Sequence, residues 1–464
     1  PTDGAAASRR IHFNARDEHR RAHTPTVKMA IRIPFITRSE ENQFLKLVQS
    51  SGGRKADAAK RLAYYNDQQS DDTLKLIAQR FSDPHTFRVF QVNIVKRVID
   101  KRATTYRVSP KRTFIGWDQT IGEELYRSIN VDGVLKRANR YTKLLKTTAL
   151  RVAWVNGKPT LYLHTPTILD VEATDPDNPS RFIVTHTAGS PDAVTYSDWS
   201  QSGYTLRDAR GNPIRSAENP NSVNPYGVLP FVPLFDALPD AEFFLPGGND
   251  LIEAQQAINV ALANLWRSVE TQAHGQAVAT GVSSTTRLDV GPNRAILLPQ
   301  GGSFSYAAPN SPIADILEAI EFLMRQTAAT NAVGSDVFDL SKSAISGSAQ
   351  AAARIDLREA RSDDIAIARV AEARLFDVLK AVVNAHAPGT IPEGATLRVD
   401  FAEERDDATE SETLANAKAK QELGIWSPVD ALMATNPDGF STRQEAFQEL
   451  MRRKDETTEI TLPV

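Results

Sequence analysis

From Ala349 to Ala387 the sequence keeps one helical pattern until Pro388-Gly389 stops it. Its apolar positions are Ile355, Ile365, Val370, Leu375, Phe376, Leu379, Val382 and Val383. Unbroken, such a helix is about 58 Å long, where an ordinary one has about 11–12 residues. A rod of that length is too long for a simple packed domain, so much of the chain reads as material arranged along it. The opposite face carries Arg354, Asp356, Arg358, Glu359, Arg361, Asp363, Asp364 and Arg369. It reads equally as a solvated face laced with i,i+4 ion pairs or as a subunit interface. Directly before the helix lies a polar loop, residues 334–348, rich in Gly and Ser. It holds Asp336, Asp339, Ser341 and Ser343, with Lys342 as its one cation. The glycines and serines leave its backbone loose, and taken alone it reads as well as an ordinary connector.

The pattern upstream is α+β and mainly helical. Helical spacing runs from Ser39 to Phe81, with Ser39 and Ser70 as candidate caps, and again over Val89–Asp100 and residues 120–150. Gly52-Gly53-Arg54-Lys55 lacks the frame of a phosphate loop and reads as a helix-linking turn. Period-two alternation then places Leu150, Val152 and Trp154 on one strand face. A turn of about four residues, Asn156-Gly157-Lys158-Pro159, joins this strand to Thr160–His164. Short strands at Ile168–Val171, Arg181–His186, Ala193–Tyr196 and Tyr204–Arg207 extend an antiparallel meander, which the extended segment Asn224–Leu234 closes.

Asp250 opens a helix to His274, with Ile258, Leu262, Leu265 and Val269 on its apolar face and Gln255, Asn259 and Arg267 on the other. A small β-like insert follows. Pro312 then starts a second helix, with Ile313, Ile316, Leu317, Ile320, Leu323 and Met324 facing inward. After the long helix come a strand at Thr396–Phe401 and short helices at Ser411–Leu423, Pro428–Thr435 and Thr442–Arg453. Residues 1–28, Arg-rich and ahead of Met29, are expected to be a tail or an upstream extension.

With 464 residues, 41% hydrophobic and 24% charged, the composition is that of a soluble globular protein of several domains. No apolar run approaches the ~20 residues of a membrane span, and the N-terminus has no signal-like apolar core. The absence of cysteine removes thiolate metal sites and Cys nucleophiles, and fits synthesis in a reducing cytoplasm. The net charge of −3 hides an asymmetry. The balance is about +10 over the first ~110 residues and about −8 over the last ~65.

Catalytic constellations do not stand out. His19 and His23 are spaced i,i+4, but Glu18 lies outside the pair where a zinc-protease helix needs its base between the ligands. Asp363-Asp364 and Asp406-Asp407 are adjacent, and neighbours on a helix point to different faces, so neither pair makes a good metal clamp. No catalytic residue, cofactor or metal is therefore expected.

Several stretches together resemble the portal, or head-to-tail connector, proteins of tailed bacteriophages. Asn93–Asp100 followed by Tyr106 is similar to that family's early helix. Asn224-Pro225-Tyr226-Gly227-Val228-Leu229-Pro230-Phe231-Val232 is similar to the segment before its first stem helix. Ser346-Gly347-Ser348-Ala349 resembles the entry to its long helix, and Gly424-Ile425-Trp426-Ser427 a late helix junction. The likeness covers about residues 30–455, and the order of the motifs carries it. Gln255, Gln256 and Asn259 stand where the family's first stem helix is usually rich in tyrosine.

The resemblance implies a wing (29–249), two stem helices (250–274 and 312–333), a clip (275–311) and a tunnel loop (334–348). A long wing helix and strand (349–403) and a crown with the C-terminal tail (404–464) would follow. It implies a ring, typically a dodecamer, at one capsid vertex of the virion, a conduit for packaging and ejecting double-stranded DNA without sequence preference. Asp336, Asp339, Ser341, Lys342 and Ser343 would face the channel. Arg287, Arg294, Phe304 and Tyr306 in the clip would meet the terminase large subunit and then the head–tail adaptor. Wing and stem would meet the major capsid protein and scaffold, with no membrane involved. The alternatives are another virion structural protein, adaptor or scaffold, or a metal-dependent nucleic-acid hydrolase built on Asp363 or Asp406.

Overall fold

The computed structural model describes residues 39–187, 194–215, 219, 221–273, 276–282, 298, 300–307, 312–334, 338, 355–402, 410–436, 439–440 and 442–460. Within them the chain is α+β, with several antiparallel sheets. It opens with helices α1 (Ser39–Ser50), α2 (Gly52–Tyr65), α3 (Ser70–Arg80) and α4 (Ile94–Arg102). Gly52 and Gly53 begin α2 rather than linking helices, so Arg54 and Lys55 in its first turn both reach buried Asp170, Arg54 at 2.7 Å. Ser70 lies inside α3, whose N-cap is Gln69. Asn93 caps α4, its Oδ1 accepting from Lys96 N–H at 2.7 Å, which sets the start of that helix later than the apolar pattern suggests. Ile94, Val98 and Ile99 are buried there as expected.

Strand β1 (Lys111–Ile115) precedes helices α5 (Gln119–Ser128) and α6 (Val131–Leu145), and then the strands begin. Strands β2 (Thr147–Val155) and β3 (Lys158–His164) form the expected hairpin, but its loop is two residues long. Asn156 and Gly157 take φ of 51° and 78°, the left-handed pair of a type I′ turn, which leaves Lys158 and Pro159 paired across from Val155 and Trp154. Strands β4 (Leu169–Glu172), β5 (Arg181–Thr187), β6 (Val194–Ser200), β7 (Tyr204–Arg207) and β8 (Pro213–Ile214) make the antiparallel meander. Strand β9 (Phe231–Phe235) does not close it. It pairs instead with β2, giving a sheet ordered β3-β2-β9 in which Pro233 is tolerated because β9 is an edge.

The second half supplies helix α7 (Asn249–Ala273), strands β10 (Gln276–Thr280) and β11 (Ser303–Ala307), and helix α8 (Ile313–Thr330). Helix α9 (Ile355–His386) follows, with 32 described residues or about 48 Å. Strand β12 (Thr396–Asp400) returns to pair with β1, and helices α10 (Glu410–Glu422), α11 (Pro428–Thr435) and α12 (Arg443–Ile460) complete the chain. Ser427 and Asp430 form a capping box ahead of Pro428 at the start of α11.

The alternation of β2 organises the core. Leu150 and Val152 point toward α9, where they pack with Leu375, Phe376, Leu379, Val382 and Val383. Ala149 lies on the other face, in a second core with Phe182, Val184, Trp199 and Phe231. The two faces of one strand thus hold α9 and the meander on opposite sides.

Helix α9 departs from its sequence pattern at both faces. Val370 is 63% exposed and Ile355 49%, while Arg361, Asp364 and Glu372 are buried. The reason is the width of the arc covered by β2, β9, β12 and their neighbours, which exceeds the apolar stripe and takes in charges that find partners. Glu372 receives a bidentate pair from Arg112, Nε at 2.7 Å and Nη2 at 2.9 Å, and the same guanidinium reaches Asp132 at 2.7 Å.

Candidate functional site

Helices α7 and α8 pack on one another, and β10 and β11 pair antiparallel beyond them, from Gln276 opposite Ala307 to Thr280 opposite Ser303. A helical hairpin with a β cap is the most distinctive feature of this fold. Leu251, Ile252 and Ile258 anchor the start of α7 among Ile94, Val95, Val98, Leu144 and Leu145. Further along, Leu262, Leu265, Ile316, Leu323 and Met324 are only partly covered.

Gln255 and Asn259, expected opposite the apolar face, are fully buried. Gln255 Oε1 accepts from the backbone N–H of Ile94 at 2.7 Å and of Val95 at 3.3 Å, donors at the start of α4 that have no intrahelical partner. Its Nε2 donates to Val92 O and Asn259 Oδ1, both at 2.7 Å. A glutamine one helix away thus caps α4 and fixes the angle at which α7 leaves the domain. Gln255→Leu keeps the volume and removes the acceptor, so unfolding in urea should show a loss of about 2–4 kcal/mol. A loss below ~1 kcal/mol would mean that water replaces the side chain.

The helix pair exposes apolar side chains. Phe322 is 59% exposed and Leu317 45%, with Val269 and Trp266 also exposed. Trp266 stays ordered by its indole N–H donating to Glu270 at 2.5 Å and by Phe90, 5.1 Å away. The charged positions are mostly acidic. Asp250, Glu253 and Glu270 on α7 and Asp315, Glu318 and Glu321 on α8 face only Arg267 and Arg325 in the two helices.

Of the residues expected at the clip, Phe304 is half-buried in β11 opposite Ala279, and Tyr306 stands in β11 opposite Ala277. Arg287 and Arg294 lie outside the described residues, as do Asp336, Asp339, Ser341, Lys342 and Ser343 of the loop. Just before the loop Val333 is buried, and within it Phe338 packs against the core at the base of α7. The tail 1–28 and the pair Asp406-Asp407 also lie outside the described residues.

Asp363 and Asp364 do diverge. Asp363 is exposed, whereas Asp364 accepts from Lys143 Nζ at 2.6 Å inside the protein. Lys143 also donates to Asp236 at 2.6 Å, Lys146 reaches Asp236 at 2.8 Å, and Arg102 lies 3.5 Å from Asp364. Burial pushes Asp364 above the usual carboxylate range. Burial acts the same way on Asp236 but is outweighed by Lys143 and Lys146, which hold it below that range. The adjoining cavity, lined by Thr105, Tyr106, Asn139 and Asp364 among others, measures about 40 Å³, room for water rather than a substrate. This cluster joins α6, β9 and α9. Among the described residues no group of three or more His, Asp or Glu side chains is placed to hold a metal ion, and no helix is long and apolar enough to cross a membrane.

No family model matches the sequence, and no curated protein matches it either. Solved structures do. A chain from the virion of a native gene transfer agent (GTA) particle is similar at 11% identity, over 81% of this chain and 92% of that one, with a TM-score of 0.46. A chain from the neck of an empty GTA particle computed with C6 symmetry is 12% identical over 78% of this chain and 93% of that one, with a TM-score of 0.47. One from the neck of a native GTA particle computed with C12 symmetry is 11% identical over 74% and 89%, with a TM-score of 0.46.

Proposed function

We propose that the chain is one subunit of a portal ring, a non-enzymatic conduit for double-stranded DNA at one vertex of a virion. In this reading α7 and α8 are its stem and β10–β11 its clip. The observation that carries it is the helix pair itself. It leaves the domain at an angle fixed by Gln255, bears a β cap, and exposes Trp266, Val269, Leu317 and Phe322. Exposed apolar side chains on a helix pair are covered in a working assembly, and neighbouring copies around a ring cover them without a second protein.

The charges fit the same reading. DNA carries one negative charge per about 1.7 Å of axis, and a cationic lining holds it in proportion to the phosphates it neutralises. Six acids against two arginines on α7 and α8 give a surface that repels phosphate. Such a surface suits a passage through which DNA must slide. Lys342 in the loop before α9 would then be a single basic contact per subunit, and Asp336 and Asp339 would keep it weak. The β cap would present Phe304 and Tyr306 to the packaging motor and later to the adaptor.

Phe322→Asp tests the subunit contact. The side chain is exposed, so the variant should keep its circular dichroism and thermal unfolding while the assembled fraction falls severalfold in native mass spectrometry. Unchanged assembly would put the interface elsewhere.

A further inference from the structure

Between the sheet ordered β3-β2-β9 and the meander lies a polar island that the conduit does not use. Arg151 of β2 shares a face with Ala149 and so points into the space between the sheets. No carboxylate pairs with it among the described residues. Its neighbours are aromatic, with the Tyr162 ring centre at 5.5 Å and that of Trp199 at 5.8 Å. Its Nε is buried with no hydrogen-bond partner.

The groups around it are also donors in want of an acceptor. His164 is 7% exposed, and neither of its ring nitrogens has a partner. Trp199, equally buried, has an unpartnered indole N–H. His186 Nε2 is 2.7 Å from Ser197 Oγ, a hydroxyl that can pass a hydrogen bond onward. Tyr204 stacks on Trp199 at 4.0 Å and Tyr226 lies parallel to it at 6.2 Å, so the island has aromatic walls. On the open side Tyr162 is 40% exposed. Arg151 and His186 each disfavour a proton on His164, on top of its burial, so that ring stays neutral and Arg151 is the charged group of the island.

Desolvated donors without acceptors are costly, and a guanidinium with no acid beside it is complemented by negative charge. We propose that this island binds a small oxyanion of the inorganic phosphate or sulfate type. The guanidinium offers the charge-assisted hydrogen bonds, and His164 and Trp199 the further donors. The site is independent of the conduit reading, since it lies in the sandwich and not on α7 or α8.

Calorimetric titration of the full chain with sulfate, at constant ionic strength in chloride, should show one site per chain. Arg151→Met should weaken that binding about tenfold or more, the loss expected for one charge-assisted contact. His186→Gln, a milder change at a half-buried position, should weaken it severalfold and guards against a folding defect in the first variant. Absence of sulfate binding by the wild type, or binding unchanged in both folded variants, overturns the proposal.

Discussion

Replacing Lys143 by methionine should destabilise the protein by about 3–5 kcal/mol, the cost of leaving buried charge without its counter-charge. Methionine fills nearly the same volume, so packing changes little and the effect is electrostatic. Lys143 is 4% exposed and lies 2.6 Å from both Asp236 and Asp364. Without it Asp236 keeps Lys146, while Asp364 keeps only Arg102 at 3.5 Å. The second change Asp364→Asn should therefore recover a good part of the loss, whereas independent sites would add. Urea unfolding of the wild type, both single variants and the double variant measures this. A loss under ~1 kcal/mol for Lys143→Met would mean that the cluster is hydrated and contributes little.

Acid should destabilise the protein through His164 well before most carboxylates titrate. Burial, with Arg151 and His186 adding to it, lowers the His164 pKa to about 3. The unfolded chain takes up a proton near pH 6.5, while the folded chain leaves this ring neutral. Between those values the unfolded state binds more protons, so stability is fully present above about pH 6.5 and falls as the pH drops toward 3. The slope approaches 1.4 kcal/mol per pH unit, or about 2 kcal/mol between pH 6.5 and 5. His164→Phe should flatten that limb in chloride buffer relative to the wild type. An identical limb in both would show that the folded protein protonates His164 normally. His186, also shifted down by burial and Arg151, adds a smaller part in the same direction.

The local features of this fold are legible in the sequence because their causes are local. Asn156-Gly157 sets a hairpin through its own φ angles, and Ser427-Pro428 starts a helix through its own cap. The meander follows from strands that pair with their chain neighbours. What the sequence hides is decided by partners far along the chain. Asp364 reads as a solvated residue on a polar helix face, yet it is buried and paired with Lys143, which lies 221 residues away. Gln255 looks like the outer face of a helix and caps another helix 161 residues earlier. Strand β1 has no signal of its own, since Lys111, Arg112 and Thr113 precede a single buried Phe114, and its pairing with β12 is what makes it a strand. The helix pair is legible from its apolar spacing, whereas its exposed apolar residues are not. Leu317 and Val269 belong to the inward pattern in the sequence but are only half covered in one chain. That mismatch between pattern and burial is what the proposed ring would resolve.

Assembly is therefore the point on which the account stands, and negative-stain electron microscopy of the purified full chain, with native mass on the same sample, tests it most directly. Closed rings with a central channel are the expected result. A monomer with no ring under any condition of salt or concentration would contradict it.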